Sequence, residues 1–194
     1  MGRFTAEISG VLLSVVAATF AAPSGAQSDY PTKPIRLIVP FPAGGPTDVT
    51  ARVIAQEMSK TIVQQVFIDN RAGAGGNLAA DLAAKSPPDG YTVFFATGGT
   101  HGINPSLYKS VPYDPVKDFS PVVFVATSPN VFVAHPSFRP NSIAELVAYA
   151  KANPGKVNFA SAGSGTTTHM SAELLKSMTG IDIVHVPTGA APRP

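Results

Sequence analysis

A short apolar run, a glycine-rich turn and an amphipathic helix follow one another between residues 35 and 62, and the same order returns further along the chain. Ile35, Leu37, Ile38 and Val39 are β-branched or leucine side chains with no polar alternation, the texture of a strand buried on both faces of a parallel sheet. The helix is predicted to begin near Pro46, since proline at the first helical position forfeits only an N–H that would be unpaired there anyway. Its apolar residues Val49, Val53, Ile54, Met58 and Ile62 recur at three- and four-residue spacing and predict one core-facing stripe. Between strand and helix lies Pro40-Phe41-Pro42-Ala43-Gly44-Gly45-Pro46-Thr47-Asp48. Gly44 and Gly45 let the backbone approach a ligand without a Cβ in the way. The unpaired amides and positive dipole end of the helix favour a carboxylate or phosphate there. A plain tight turn has the same composition, and this stretch alone leaves both readings open.

The alternation continues with a strand at 66–69, a second glycine turn from Asn70 to Asn77, a helix over 78–85, the turn Pro87-Pro88-Asp89-Gly90, and a strand at 91–96. Strands and helices in strict alternation with short connections imply a parallel sheet with helices on its faces, so the class is α/β. Ligands in such sheets collect beyond the carboxyl ends of the strands. The third turn at that edge, Thr97-Gly98-Gly99-Thr100-His101-Gly102-Ile103-Asn104, is rich in hydrogen-bonding side chains, as is any polar capping loop. Residues 122–126 and 131–134 read as two apolar strands in a crossover. The alternation then restarts, with a helix over 142–152, a strand at 157–160, a helix over 166–178 and a strand at 183–186. Ser142 and Glu145 form a capping box at the first of these helices. The turn Ser161-Ala162-Gly163-Ser164-Gly165-Thr166-Thr167-Thr168-His169 repeats the physics of the opening one. It is neither a phosphate-binding loop, lacking Gly-Lys-Ser/Thr, nor a nucleophile elbow, lacking Gly-x-Ser-x-Gly.

Residues 1–26 read as a signal peptide: Arg3, an apolar stretch over 11–22 too short for the ~20 residues of a membrane span, then small residues before Gln27. Export to the periplasm is expected. The absence of cysteine excludes disulfides and a lipidated-cysteine anchor. A net charge of +2, with scattered Lys and Arg, leaves no footprint for nucleic acid or a membrane surface. The four histidines share no ligand spacing, so no metal and no cofactor is expected.

Together the motifs Pro40 to Gly45 with Asp48, Asn70 to Gly76, Thr100 to Tyr108, and Ser161 to Thr166 with His169 resemble the Bug-type extracytoplasmic receptors of tripartite tricarboxylate transporters. The likeness runs from about Tyr30 to Pro187. It implies a type II periplasmic binding protein, two doubly wound α/β lobes that close on a small carboxylate and present it to integral-membrane transporter subunits. It also implies a monomer without enzymatic activity. The lobes are expected at 27–120 and 135–194, joined by a crossover at 121–134. By the same resemblance the ligand carboxylate is held from one side by Phe41, Ala43, Gly44 and Gly45 and from the other by Ser161, Ser164, Gly165 and Thr166. Asp48 is placed at the cleft mouth, Thr100, His101 and Asn104 form a third wall, and His169 donates from the first turn of its helix.

After His185-Val186-Pro187 the chain departs from the family, with Thr188-Gly189-Ala190-Ala191-Pro192-Arg193-Pro194 where Tyr-Lys-Gly-Gly is expected. A receptor of two ordinary lobes needs roughly 300 residues. The expectation is therefore an incomplete second lobe and return crossover, from a frameshift or premature stop. Two other readings stand beside the receptor. One is a secreted serine hydrolase using Ser161 or Ser164 with His101 or His169; the other is a nonfunctional gene remnant.

Overall fold

Strand β1 (Ile35–Val39) is the centre of the first sheet because Ile35, Leu37 and Val39 are apolar on one face and Ile38 on the other, where Arg36 is paired with Asp69; Ile38 and Val39 are fully buried. The computed structural model describes residues 30–188, so the expected leader over 1–26 lies outside the described residues. β1 runs between β2 (Val66–Asn70) and β3 (Thr92–Phe94), all parallel, in the order β2-β1-β3. Ile38 pairs with Asp69 on one side and Phe94 on the other.

Helix α1 (Pro46–Ile62) covers this sheet with Ala51 and Ala55 fully in the core and Met58 and Ile62 packed beside them. The stripe differs from the expected one. Val49 and Val53 are exposed, because the small alanines let the helix lie close on β1 and turn the valines outward. The buried row thus begins at Asp48, a carboxylate that enters the interior because hydrogen bonds meet it there. A 3₁₀ turn (Ala74–Gly76) leads into α2 (Asn77–Ala84). Beyond β3 a π-type turn (Gly99–Ile103) runs into the short α3 (Asn104–Leu107).

In the second lobe α4 (Ile143–Ala152) starts at the expected capping box: Ser142 Oγ accepts from Glu145 N at 3.2 Å, and Glu145 Oε2 accepts from Asn141 N at 2.9 Å. β4 (Val157–Ser161) and β5 (Ile183–Pro187) are parallel and flank α5 (Thr167–Thr179) in sequence. Ala150, Val157, Ile181 and Ile183 form this lobe's core, with Phe138, Leu146, Phe159 and Leu175 against it. Residues 33–188 belong to one compact unit.

The expected strands at 122–126 and 131–134 are a correction. Neither is a strand, and Val122, Val123, Phe124, Val131 and Val133 are exposed. Apolar, β-branched composition favours an extended chain, but a strand exists only where a neighbour takes its backbone hydrogen bonds. Among the described residues, none pairs with this segment. No described helix is long and apolar enough to cross a membrane.

Candidate functional site

The turns at the carboxyl ends of β1, β3 and β4 hold most of the residues singled out in the sequence, and each is built differently. In the first, Asp48 is the organiser. Its Oδ2 accepts from Gly44 N at 2.8 Å and Arg52 Nε at 2.8 Å, while Oδ1 accepts from Asn70 Nδ2 at 2.9 Å. Asn70 Nδ2 also donates to Phe41 O at 3.0 Å, tying the turn to the end of β2. The Arg52 hydrogen bond is the chief reason the Asp48 carboxyl is held down at about 2; the Gly44 amide and Asn70 add to it and burial opposes it. Asp48 is 1% exposed, so it is not the cleft-mouth group the resemblance implies: both oxygens are spent inside the turn. Ala43 and Gly44 are exposed, and Gly44 (φ +82) has open space where a Cβ would stand.

The expected third wall is a buried polar network. Thr97 and Thr100 bond one another through backbone and hydroxyl groups, and Thr100 Oγ1 lies 3.0 Å from His101 Nδ1. The His101 ring packs among Phe94, Tyr113 and Phe119, the last with ring centroids 4.7 Å apart. Burial lowers its pKa, so the neutral ring belongs to this aromatic cluster. Tyr113 Oη lies 2.7 Å from Thr100 O and 2.9 Å from Asn77 Oδ1. Asn104, fully buried, donates from Nδ2 to Asn77 Oδ1 at 2.7 Å and Gly75 O at 3.0 Å.

The third turn joins β4 to α5. Thr166 caps the helix, accepting from His169 N at 3.3 Å and donating from Oγ1 to Gly163 O at 2.7 Å. Gly165 N donates to His169 Nδ1 at 3.4 Å, and His169 Nε2 lies 3.8 Å from Glu173 Oε1. No acidic residue stands in the first turn of α5. Among the described residues, no acceptor meets the amides of Thr167 and Thr168. This helix start therefore keeps its full preference for an anion. At α1, by contrast, the Asp48 carboxylate already sits in the first turn.

The structure brings the second and third turns together. Tyr108 Oη donates to Ser164 O at 3.2 Å. Asn104 Oδ1 has no hydrogen-bond partner among the described residues and abuts Gly165, where a Cβ would collide with its carboxamide. A Cβ on Gly99 would stand 2.9 Å from Gly165 O. No hydrogen bond joins the Phe41–Gly45 turn to the 161–166 turn among the described residues. None of the four expected serine–histidine pairings forms there; Ser161 Oγ instead lies 2.6 Å from Nε2 of His185, a residue absent from the sequence-based site. No carboxylate lies within ion-pair distance of the His185 ring among the described residues, so a nucleophile, base and orienting acid are not assembled. Asn70, Asn77 and Tyr108 lie in the quoted turns and motifs without being singled out as site residues, and Tyr113 lies outside them. Asn70 was detectable, as the last residue of a strand facing a ligand edge; nothing local marks Tyr113.

The sequence profile of the TctC family, tripartite tricarboxylate transporter family receptors, matches residues 50–192. The chain belongs to this family. Among solved structures, the TctC chain is similar to Rpa4515 of R. palustris with adipate, 42% identical with TM-score 0.80, covering 83% of this chain and 54% of that one. It is similar also to MatC (Rpa3494) from Rhodopseudomonas palustris with bound malate, at 37% identity and TM-score 0.78, covering 83% and 55%. The periplasmic binding protein BugD is 33% identical with TM-score 0.72, covering 83% and 54%. These Bug-type neighbours place the fold among periplasmic binding proteins. The chain spans about half the length of the curated relatives it matches, for example 48% and 57% of two of them.

Proposed function

We propose that this TctC chain is an exported receptor that binds a small carboxylate on the turn between β4 and α5 and delivers it to the membrane subunits of a tripartite tricarboxylate transporter. The carrying observation is the start of α5, with the amides of Thr167 and Thr168 open and no acid in the first turn. The relatives solved with adipate and malate support a dicarboxylate; tricarboxylates, acidic amino acids and aromatic acids are the other classes with a matching anionic end. The open start of α5 and a few charge-assisted hydrogen bonds, at about 0.3–2 and 1.5–3 kcal/mol each, approach the ~8 kcal/mol of micromolar affinity. The receptor acts as a monomer in the periplasm and performs no chemistry on its ligand. Ser164, Gly165, Thr166 and His169 form the second-lobe side of the site, and Phe41, Ala43, Gly44 and Gly45 form the first-lobe side, with Asp48 holding the latter in shape.

Thermal unfolding of the full chain with millimolar adipate, malate, citrate, aspartate and benzoate tests this. A ligand at a hundred times its dissociation constant adds about 2.7 kcal/mol, which raises the midpoint by roughly 5–10 °C in a chain of this size. A cooperative transition that no carboxylate moves refutes the reading.

A further inference from the structure

The contact between Ser161 on β4 and His185 on β5 links the ligand turn to a titratable group. Ser161 Oγ has three neighbours: it accepts from Gly163 N at 3.1 Å, lies 3.3 Å from Gly163 O, and lies 2.6 Å from His185 Nε2. Gly163 O already faces Thr166 Oγ1 at 2.7 Å, which also lies 2.9 Å from Thr168 Oγ1, and Thr166 N at 3.3 Å, and it is farther from Ser161 Oγ than the ring nitrogen is. The single hydroxyl hydrogen of Ser161 therefore goes to Nε2 when that nitrogen is unprotonated. In that state the serine offers no hydrogen to an anion. With a proton on Nε2 the roles reverse: the ring donates to Oγ, Gly163 N fills the second lone pair, and the hydroxyl hydrogen is freed from the ring, to be taken by Gly163 O at 3.3 Å or by an anion bound at the same turn.

We propose that His185 is a positioning residue which, on protonation at Nε2, turns the Ser161 hydroxyl into a donor for the bound carboxylate, so that ligand binding takes up a proton. This rests on the receptor reading above. The groups facing the His185 ring come from two elements. β4 supplies Ser161 and Phe159, the latter stacked with centroids 4.9 Å apart. α5 supplies His169, stacked at 4.1 Å, with Glu173 and Lys176 behind it. Burial lowers the His185 pKa most, His169 and Lys176 lower it further, and Glu173 opposes them. Free His185 is thus neutral at pH 7, and a carboxylate on α5 supplies the negative charge that makes the proton worth holding.

The test reads the imidazole of His185 in the full chain by nitrogen-detected NMR, with and without adipate and malate, and their affinities from pH 8 to pH 6. The expected free state is the Nδ1–H tautomer, titrating below the ordinary histidine value. Binding raises that midpoint, and affinity strengthens by up to about tenfold per pH unit as pH falls between the two midpoints. His185→Gln, whose amide donates to Ser161 at every pH, binds with flat pH dependence, and Ser161→Ala loses the dependence as well as affinity. An Nε2–H tautomer in the neutral free protein, or a pH dependence that His185→Gln leaves unchanged, overturns the proposal while the receptor reading survives. No binding of adipate or malate at any pH overturns both.

Discussion

Replacing Asp48 by asparagine keeps its shape and removes its charge. Gly44 N and Asn70 Nδ2 donate to the carboxylate at 2.8 and 2.9 Å from a site 1% exposed. Hydrogen bonds to a charged acceptor contribute about 1.5–3 kcal/mol each, of which an amide oxygen retains part. The Arg52 hydrogen bond is the largest single cause of the lowered carboxyl, but half the arginine side chain is in water, so its share of stability is discounted to at most about 1 kcal/mol. In the variant, moreover, an NH₂ group faces one of the former donors. The same hydrogen bonds lower the carboxyl from 3.8 to about 2, which corresponds to roughly 2 kcal/mol of native-state stabilisation. A loss of about 2–3 kcal/mol at pH 7 is expected, or roughly 5–10 °C in melting temperature. The sign follows from the lowered native pKa. The contribution is fully present above 3.8, where the unfolded carboxyl is ionised, and is lost as pH falls through that value toward about 2. Urea unfolding of both proteins at pH 7, 5, 4 and 3 reads the gap between them, in which all other carboxylates cancel. A gap of about 2–3 kcal/mol that closes from about pH 4 downward is expected. Equal stability at pH 7, or a gap indifferent to pH, refutes the assignment of Asp48 as the fixed point of the first turn.

Gly165→Ala introduces a Cβ at φ +82 that collides with the Asn104 carboxamide; a loss of about 1–3 kcal/mol is expected in chemical denaturation, together with weaker adipate binding. Tyr108→Phe removes the hydrogen bond to Ser164 O, which is partly exposed, so its cost by the same measurement is about 0.5–1.5 kcal/mol. Ala51→Leu overfills the contact between α1 and β1, where Ala51 is fully buried, and lowers the thermal midpoint by the equivalent of about 1–3 kcal/mol. In Thr166→Ala the α5 cap is lost, costing about 1 kcal/mol of stability, and carboxylate affinity falls because the turn is no longer held by Gly163 O.

What was legible in the sequence was whatever is decided locally. The run of apolar residues at β1, the proline opening α1 and the serine–glutamate box opening α4 each carry their reason within a few residues, and the structure places those elements as read. The segments at 122–126 and 131–134 have the same apolar composition as β1 and are not strands, because pairing depends on a neighbour supplied from elsewhere in the chain. The helix stripe of α1 was misread for a related reason. Periodicity ranks Val49 and Val53 above Ala51 and Ala55, but the depth of a helix on a sheet is set by the smallest residues facing it.

The site divides along the same line. Both glycine turns look alike in sequence, each a strand end, two or more glycines and a helix start, and composition gives no ground for preferring one. The difference lies in what fills the first helical turn. α1 places a buried aspartate there and neutralises it with Arg52 and Asn70, so its dipole is already answered by the protein itself. α5 places threonine hydroxyls and a histidine there and leaves two amides open. An anion entering between the turns therefore gains most from α5, while the α1 turn contributes shape and open space beside Gly44. That asymmetry is also why His185 matters despite lying outside every sequence motif used to find the site: of these two turns it touches the one that no carboxylate answers among the described residues, through the Ser161 hydroxyl 2.6 Å from its ring.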